Sequence, residues 1–144
     1  MGATADSRGR RGRVGMALPG ELNAVTREIL GAALAVHTAL GAGFSESIYE
    51  EAMCLELDSM GLAFRRQVRL DVAYRGHRVG VHRLDLIVAD VIVVELKAVD
   101  ELAKVHIAQL LSYLRASNRP VGLLIYFNVA HLRNGIRRLT APSP

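Results

Sequence analysis

Asp85, Glu95 and Lys97 are the residues whose types and spacing could do chemistry. They interrupt an otherwise apolar stretch, His82 to Lys97, that is rich in Val, Ile and Leu. A lone ionised group in a buried strand is costly unless it is paired or holds a metal ion. Glu95 and Lys97 are two positions apart, so an extended strand points both to one face. The stretch reads as two antiparallel strands around a tight turn at Ala89-Asp90. A turn that pairs Val88 with Val91 sends Asp85 and Glu95 to opposite faces, because a one-residue slip inverts every side chain. A longer turn that pairs Val88 with Ile92, or a bulge, sets the two acids side by side with Cβ atoms roughly 5 Å apart. That separation suits two carboxylates holding one divalent cation. We therefore expect the longer turn or a bulge. The plainer alternative is a buried ion pair of Asp85 or Glu95 with Lys97.

The rest of the chain must position these groups. Its 144 residues are 51% hydrophobic, enough for one domain with a packed core. No apolar run reaches the roughly 18 residues of a membrane span. The single cysteine, Cys54, has no disulfide partner and no metal-ligand spacing around it. The arginine-bearing N-terminus is not followed by the apolar core of a secretory signal, and a cytoplasmic location is expected. Of the net charge of +4, four arginines against Asp6 put +3 into residues 1–20, an Arg/Gly-rich stretch expected to be a disordered arm. Residues 21–144 are expected to form the one folded domain.

Glu21 to Leu40 is a helix by the spacing of Leu22, Val25, Ile29, Ala33 and Val36, and Gly41-Ala42-Gly43 ends it. A second helix runs from near Ser45 to about Met60. In it Phe44, Ile48, Ala52 and Leu55 form the expected apolar stripe, while Glu46, Tyr49, Glu50 and Met53 share another. Phe64–Tyr74 and Arg78–Val88 form a hairpin that leads into the Asp85 strand. A third helix is expected from about Glu101 to Ser117, then a central strand, Val121–Phe127, parallel to the Glu95 strand, and a short terminal strand, Gly135–Thr140. The order is ααβββαββ, an α/β sandwich with a mixed central sheet flanked by helices. Arginines cluster on the hairpin at Arg65, Arg66, Arg69, Arg75 and Arg78; they suit either a charged sheet edge or phosphate contact, and Arg83 is the candidate phosphate contact nearest Asp85 in the chain.

An Asp followed about ten residues later by Glu-x-Lys resembles the signature of the PD-(D/E)XK nuclease superfamily. The segment Gly43-Phe44-Ser45-Glu46-Ser47-Ile48-Tyr49 matches the string GxxExxY, so the chain resembles the GxxExxY family, a compact branch grouped with those nucleases. The similarity covers roughly Leu22 to Leu139. His106, Gln109 and Tyr113 share one helical face, and Gln109 with Tyr113 resembles the Gln-x-x-x-Tyr motif that follows Glu-x-Lys in the recombination-exonuclease branch.

The resemblance implies a restriction-endonuclease-like fold and divalent-metal-dependent hydrolysis of phosphodiester bonds, most naturally in DNA. It implies a metal site of Asp85, Glu95 and the carbonyl of Leu96, with Glu46 adding or positioning a ligand and Glu50, one turn later, as its fallback. An all-oxygen set favours Mg²⁺ or Mn²⁺ over zinc. Lys97 would be catalytic, and Gln109 and Tyr113 would contact nucleic acid or brace the lysine. A homodimer or a partner protein would supply specificity. The alternative is a nuclease fold without activity, serving as a nucleic-acid-binding or protein-interaction module.

Overall fold

The computed structural model describes residues 19–99 and 101–141. The arm expected over residues 1–20 lies outside that range except for Pro19 and Gly20, which open helix α1 (Pro19–Leu40) two residues before the expected start. Proline suits a helix N-terminus, where its missing N–H removes no intrahelical bond. Then follow α2 (Glu46–Ser59), β1 (Phe64–Tyr74), β2 (His77–Val88), β3 (Ile92–Lys97), α3 (Lys104–Ser117), β4 (Val121–Tyr126) and β5 (Ile136–Thr140), with a 3₁₀ turn at Leu132–Gly135 before the last strand. This is the expected ααβββαββ order.

The five strands form one sheet in the order β1-β2-β3-β4-β5. All neighbours are antiparallel except β3 and β4, which run parallel across the α3 crossover. Helices α1 and α2 cover one face through Val25, Ile29, Val36, Tyr49, Met53 and Leu57, packed on Leu86, Val88, Val94 and Ile125. Helix α3 covers the other through Leu110 and Leu114, against Leu84, Ile87, Val93 and Leu124. Strands β3 and β4, covered on both faces, are buried along almost their whole length, which is why their sequences do not alternate.

Two expectations need correcting. Helix α2 buries Tyr49, Met53, Cys54 and Leu57, whereas Phe44, Ile48 and Leu55 of the expected stripe are 45%, 42% and 66% exposed. The Tyr49 ring decides the face: it stacks flat on Phe127 at 4.3 Å, and its hydroxyl donates to the Gly41 carbonyl at 2.6 Å. Helix α3 starts at Lys104, not near Glu101, with extended Ala103 as its N-cap. There the Ala103 N–H is taken by the Tyr126 hydroxyl at 3.3 Å, so the chain has no need to be helical earlier.

Close approach requires glycine at one point near the sheet end. A Cβ on Gly135 would lie 2.3 Å from the Tyr126 carbonyl oxygen, so only glycine lets the 3₁₀ turn fold back on β4.

Candidate active site

The β2–β3 turn is the longer one. Val88 pairs with Ile92, Ile87 with Val93 and Leu86 with Val94. Ala89 and Asp90 take left-handed φ of 53° and 60°, and Val91 is the extra residue, its N–H donating to the Val88 carbonyl at 3.2 Å. Asp90 is held by Arg65 at 3.0 Å and Arg119 at 2.9 Å, which fixes the turn and with it the register. That register carries Asp85 to the position across from Glu95.

At Asp85 the strands part. The Asp85 N–H donates to Glu95 Oε1 at 3.3 Å, and the Leu96 N–H donates to Asp85 Oδ2 at 2.8 Å. Side-chain bonds thus replace the backbone ladder at the mouth of the hairpin. Strand β2 also changes face here: Leu84 packs in the α3-side core, yet Leu86, two residues on, packs in the opposite one. The β1 partner shows the same irregularity. Arg66 pairs with Leu86 and Val68 with Leu84, but Gln67, between them, has φ of 50°. A left-handed non-glycine residue costs about 1–2 kcal/mol, and such strain inside a strand persists only where its surroundings enforce it.

Gln67 explains how α2 reaches the site. Its Nε2 donates to Glu50 Oε1 at 2.6 Å and lies 3.5 Å from Asp85 Oδ1. Glu50 is 8% exposed and is also bound through Oε2 by Arg66. Glu46 is exposed at the start of α2 and accepts the Ala98 N–H at 3.4 Å. The charges of Glu50 and Glu46 both bear on Asp85, that of Glu50 more strongly. Sequence reasoning put Glu46 first and held Glu50 as its substitute; Gln67 it missed entirely. The one signal for Glu50 was its place on the stripe with Glu46 and Met53.

Burial pushes the Asp85 carboxyl above its ordinary range, and Glu50 and Glu46 add to the shift while the Leu96 N–H and Lys97 oppose it. Burial, then the neighbouring Asp85 charge, raises Glu95 to about 8. Near neutral pH the pair therefore tends to keep a proton between its two carboxyls.

Lys97 follows Glu95 on the α3-side face, half-buried, and its charge is felt by Asp85, Glu95 and His82. Tyr113 closes that side. Its ring stacks on His82 at 4.0 Å, and burial, with the charges of Glu95 and Asp85, raises its hydroxyl. His82 is lowered by burial and by Lys97, and its Nε2 is buried without a hydrogen-bond partner among the described residues. Gln109 lies half-buried one turn before Tyr113 on α3. His106, the third member of that face, turns instead to the Tyr126 hydroxyl.

The hairpin arginines divide into two groups. Arg65, Arg66 and Arg69 are spent on Asp90, Glu50 with Glu51, and Asp71. Arg75, Arg78 and Arg83 have no ion pair among the described residues; Arg83 reaches only the Gln67 carbonyl, at 3.3 Å.

The buried Glu95 carboxyl and the half-buried Asp85 carboxyl, with a main-chain carbonyl between Glu95 and Lys97, are a hard-oxygen donor set, and a divalent cation fits its electrostatics. Among the described residues no three His, Cys, Asp or Glu side chains come together as a ready ligand set, so the remaining ligands would be main-chain oxygen and water.

The sheet with helices on both faces and an acidic pair plus lysine where β2 leaves β3 define a restriction-endonuclease-like protein. A protein-family model described as the PD-(D/E)XK nuclease superfamily matches residues 23–139, and the chain belongs to that superfamily. No curated protein matches it. A solved structure titled "Crystal structure of SSO0001" is similar in fold, with a TM-score of 0.50 and 19% identity over 68% of this chain. The matched region spans 50% of that protein's length. No helix among the described residues is long and apolar enough to cross a membrane.

Proposed function

We propose that the protein is a divalent-metal-dependent nuclease that hydrolyses phosphodiester bonds in DNA, within the GxxExxY branch of its superfamily. The observation that carries this reading is the convergence of Asp85, Glu95 and Lys97 where β2 and β3 part, with both carboxyls raised. A structural ion pair would depress an acid's pKa; here burial and mutual repulsion outweigh Lys97. A site that perturbs two acids in the same direction is suited to a cation.

In this reading Asp85, Glu95 and the Leu96 carbonyl hold Mg²⁺ or Mn²⁺, with Glu46 or Glu50 assisting through water. The ion, when bound, supplies Lewis-acid polarisation of the phosphate and acidifies a bound water. Lys97 offers a fixed positive charge to the phosphate oxygens as negative charge develops, in surroundings that exclude much of the competing water. Tyr113 and Gln109 present hydrogen-bonding groups to the substrate backbone, and Arg83 takes a flanking phosphate. The activity resides in residues 21–144, and a second copy or a partner protein would add sequence specificity.

A second reading is a nuclease fold that binds nucleic acid without cutting it, for which Arg75, Arg78 and Arg83, in no ion pair among the described residues, would supply the phosphate contacts.

Cleavage of supercoiled plasmid and of single-stranded DNA, in Mg²⁺ and in Mn²⁺, separates the two. We expect metal-dependent cleavage that drops at least about 100-fold in Asp85→Ala and in Lys97→Ala. Tight DNA binding with no turnover would favour the second reading. Cleavage retained in both variants would overturn the assigned site.

A further inference from the structure

We propose that Gln67 is a positioning residue for Asp85: its left-handed backbone brings its amide between Glu50 and Asp85 and fixes the carboxyl that a divalent cation would use. The inference rests on the metal-dependent reading above and concerns a residue to which that reading gives no part.

Three observations converge on it. Gln67 lies in β1 at the position facing Asp85, between the pairs Arg66–Leu86 and Val68–Leu84, and its φ is 50°. A regular strand would alternate straight through this point and leave Leu84 and Leu86 on one face; instead they lie in opposite cores. The amide –NH₂ has two hydrogens, and the two oxygens near it are both carboxylate: Glu50 Oε1 at 2.6 Å and Asp85 Oδ1 at 3.5 Å. Glu50 is itself fixed, because Arg66 donates to its other oxygen at 2.9 and 3.3 Å. Asp85 Oδ2 is taken by the Leu96 N–H, so Oδ1 is the oxygen whose direction Gln67 governs.

The arrangement joins α2, β1 and β2 through one amide. Glutamine is suited to the place because it donates without adding charge. A lysine there would neutralise the acids that the cation needs, and a glutamate would offer no donor. Neutral donors behind a metal-binding carboxylate set its orientation, and their loss commonly weakens metal binding about 10–100-fold.

The test uses Gln67→Gly and Gln67→Ala in the full chain, measuring the thermal midpoint without metal and Mn²⁺ affinity by calorimetry. Glycine accepts the left-handed backbone and removes the amide, whereas alanine keeps the strain. We expect Gln67→Gly to melt above Gln67→Ala in metal-free buffer, because only glycine accepts the left-handed backbone without strain. Both variants should bind Mn²⁺ about 10-fold or more weakly than wild type. A Gln67→Gly protein that binds Mn²⁺ as wild type does would overturn the inference while leaving the nuclease reading intact, since the bulge alone would then suffice. Folded wild type that binds no Mn²⁺ would instead overturn the metal-dependent reading, and this inference with it.

Discussion

A carboxylic acid almost out of water gives up its proton reluctantly, and Glu95 does so beside a second one. Its pKa of about 8 in the fold stands against 4.5 for the free side chain. Between those values the folded protein holds a proton that the unfolded chain has released. The stabilising contribution is therefore complete below about pH 4.5 and is lost as pH rises through about 8. We expect the metal-free protein to melt progressively lower from pH 5 to pH 9 because of this group. Glu95→Gln, which cannot ionise, should flatten that part of the profile. Thermal melts across the range, with EDTA present, check it; an unchanged slope in Glu95→Gln would show that Glu95 is not the group responsible. At this scale much of the candidate site was legible in the sequence. An acid, a Glu-x-Lys and a Gln-x-x-x-Tyr announce themselves by type and spacing, whereas Gln67 does not. Nothing in Arg65-Arg66-Gln67-Val68 signals a positive φ, since the torsion is imposed by Glu50 and Asp85, distant in the chain and adjacent only in space.

The β2–β3 turn is the element on which the register depends, and Asp90 is its fastening. This carboxylate is 6% exposed and receives Arg119, itself mostly buried, and the more exposed Arg65. Asp90→Ala would take the carboxylate from Arg119 and leave it only the Asp90 and Ser117 carbonyls; we expect a loss of about 2–3 kcal/mol, most of it from the Arg119 bond because Arg65 is screened by solvent. Urea unfolding measures it, and a loss below about 0.5 kcal/mol would show that the turn holds its shape without the clamp. The longer turn, or a bulge in its place, could be anticipated because chemistry demanded it: a regular two-residue turn sends Asp85 and Glu95 to opposite faces. The buried stripe of α2 could not be read with the same security. Phe44, Ile48, Ala52 and Leu55 have the right spacing, but so do Tyr49, Met53 and Leu57 with Cys54 beside them, and the stacking partner Phe127 lies far along the chain. Likewise the late start of α3 depends on the Tyr126 hydroxyl, which local propensity cannot see.

For the whole molecule, charge matters by place more than by sum. Three of the hairpin arginines are tied into ion pairs, while Arg75, Arg78 and Arg83 are not, among the described residues. If DNA runs past the acidic site along this hairpin, Arg83→Ala should weaken binding to all sequences alike. The slope of log affinity against log salt should then become shallower by about one unit. Fluorescence anisotropy in EDTA, with Asp85→Ala as the background, measures this, and an unaltered slope would remove Arg83 from the contact surface. The left-handed backbone at Gln67 and the crowded acids beside it have a consequence for engineering: folding alone gains nothing from that torsion or from two carboxyls that repel each other, so substitutions that make this protein sturdier are to be sought within the candidate site itself.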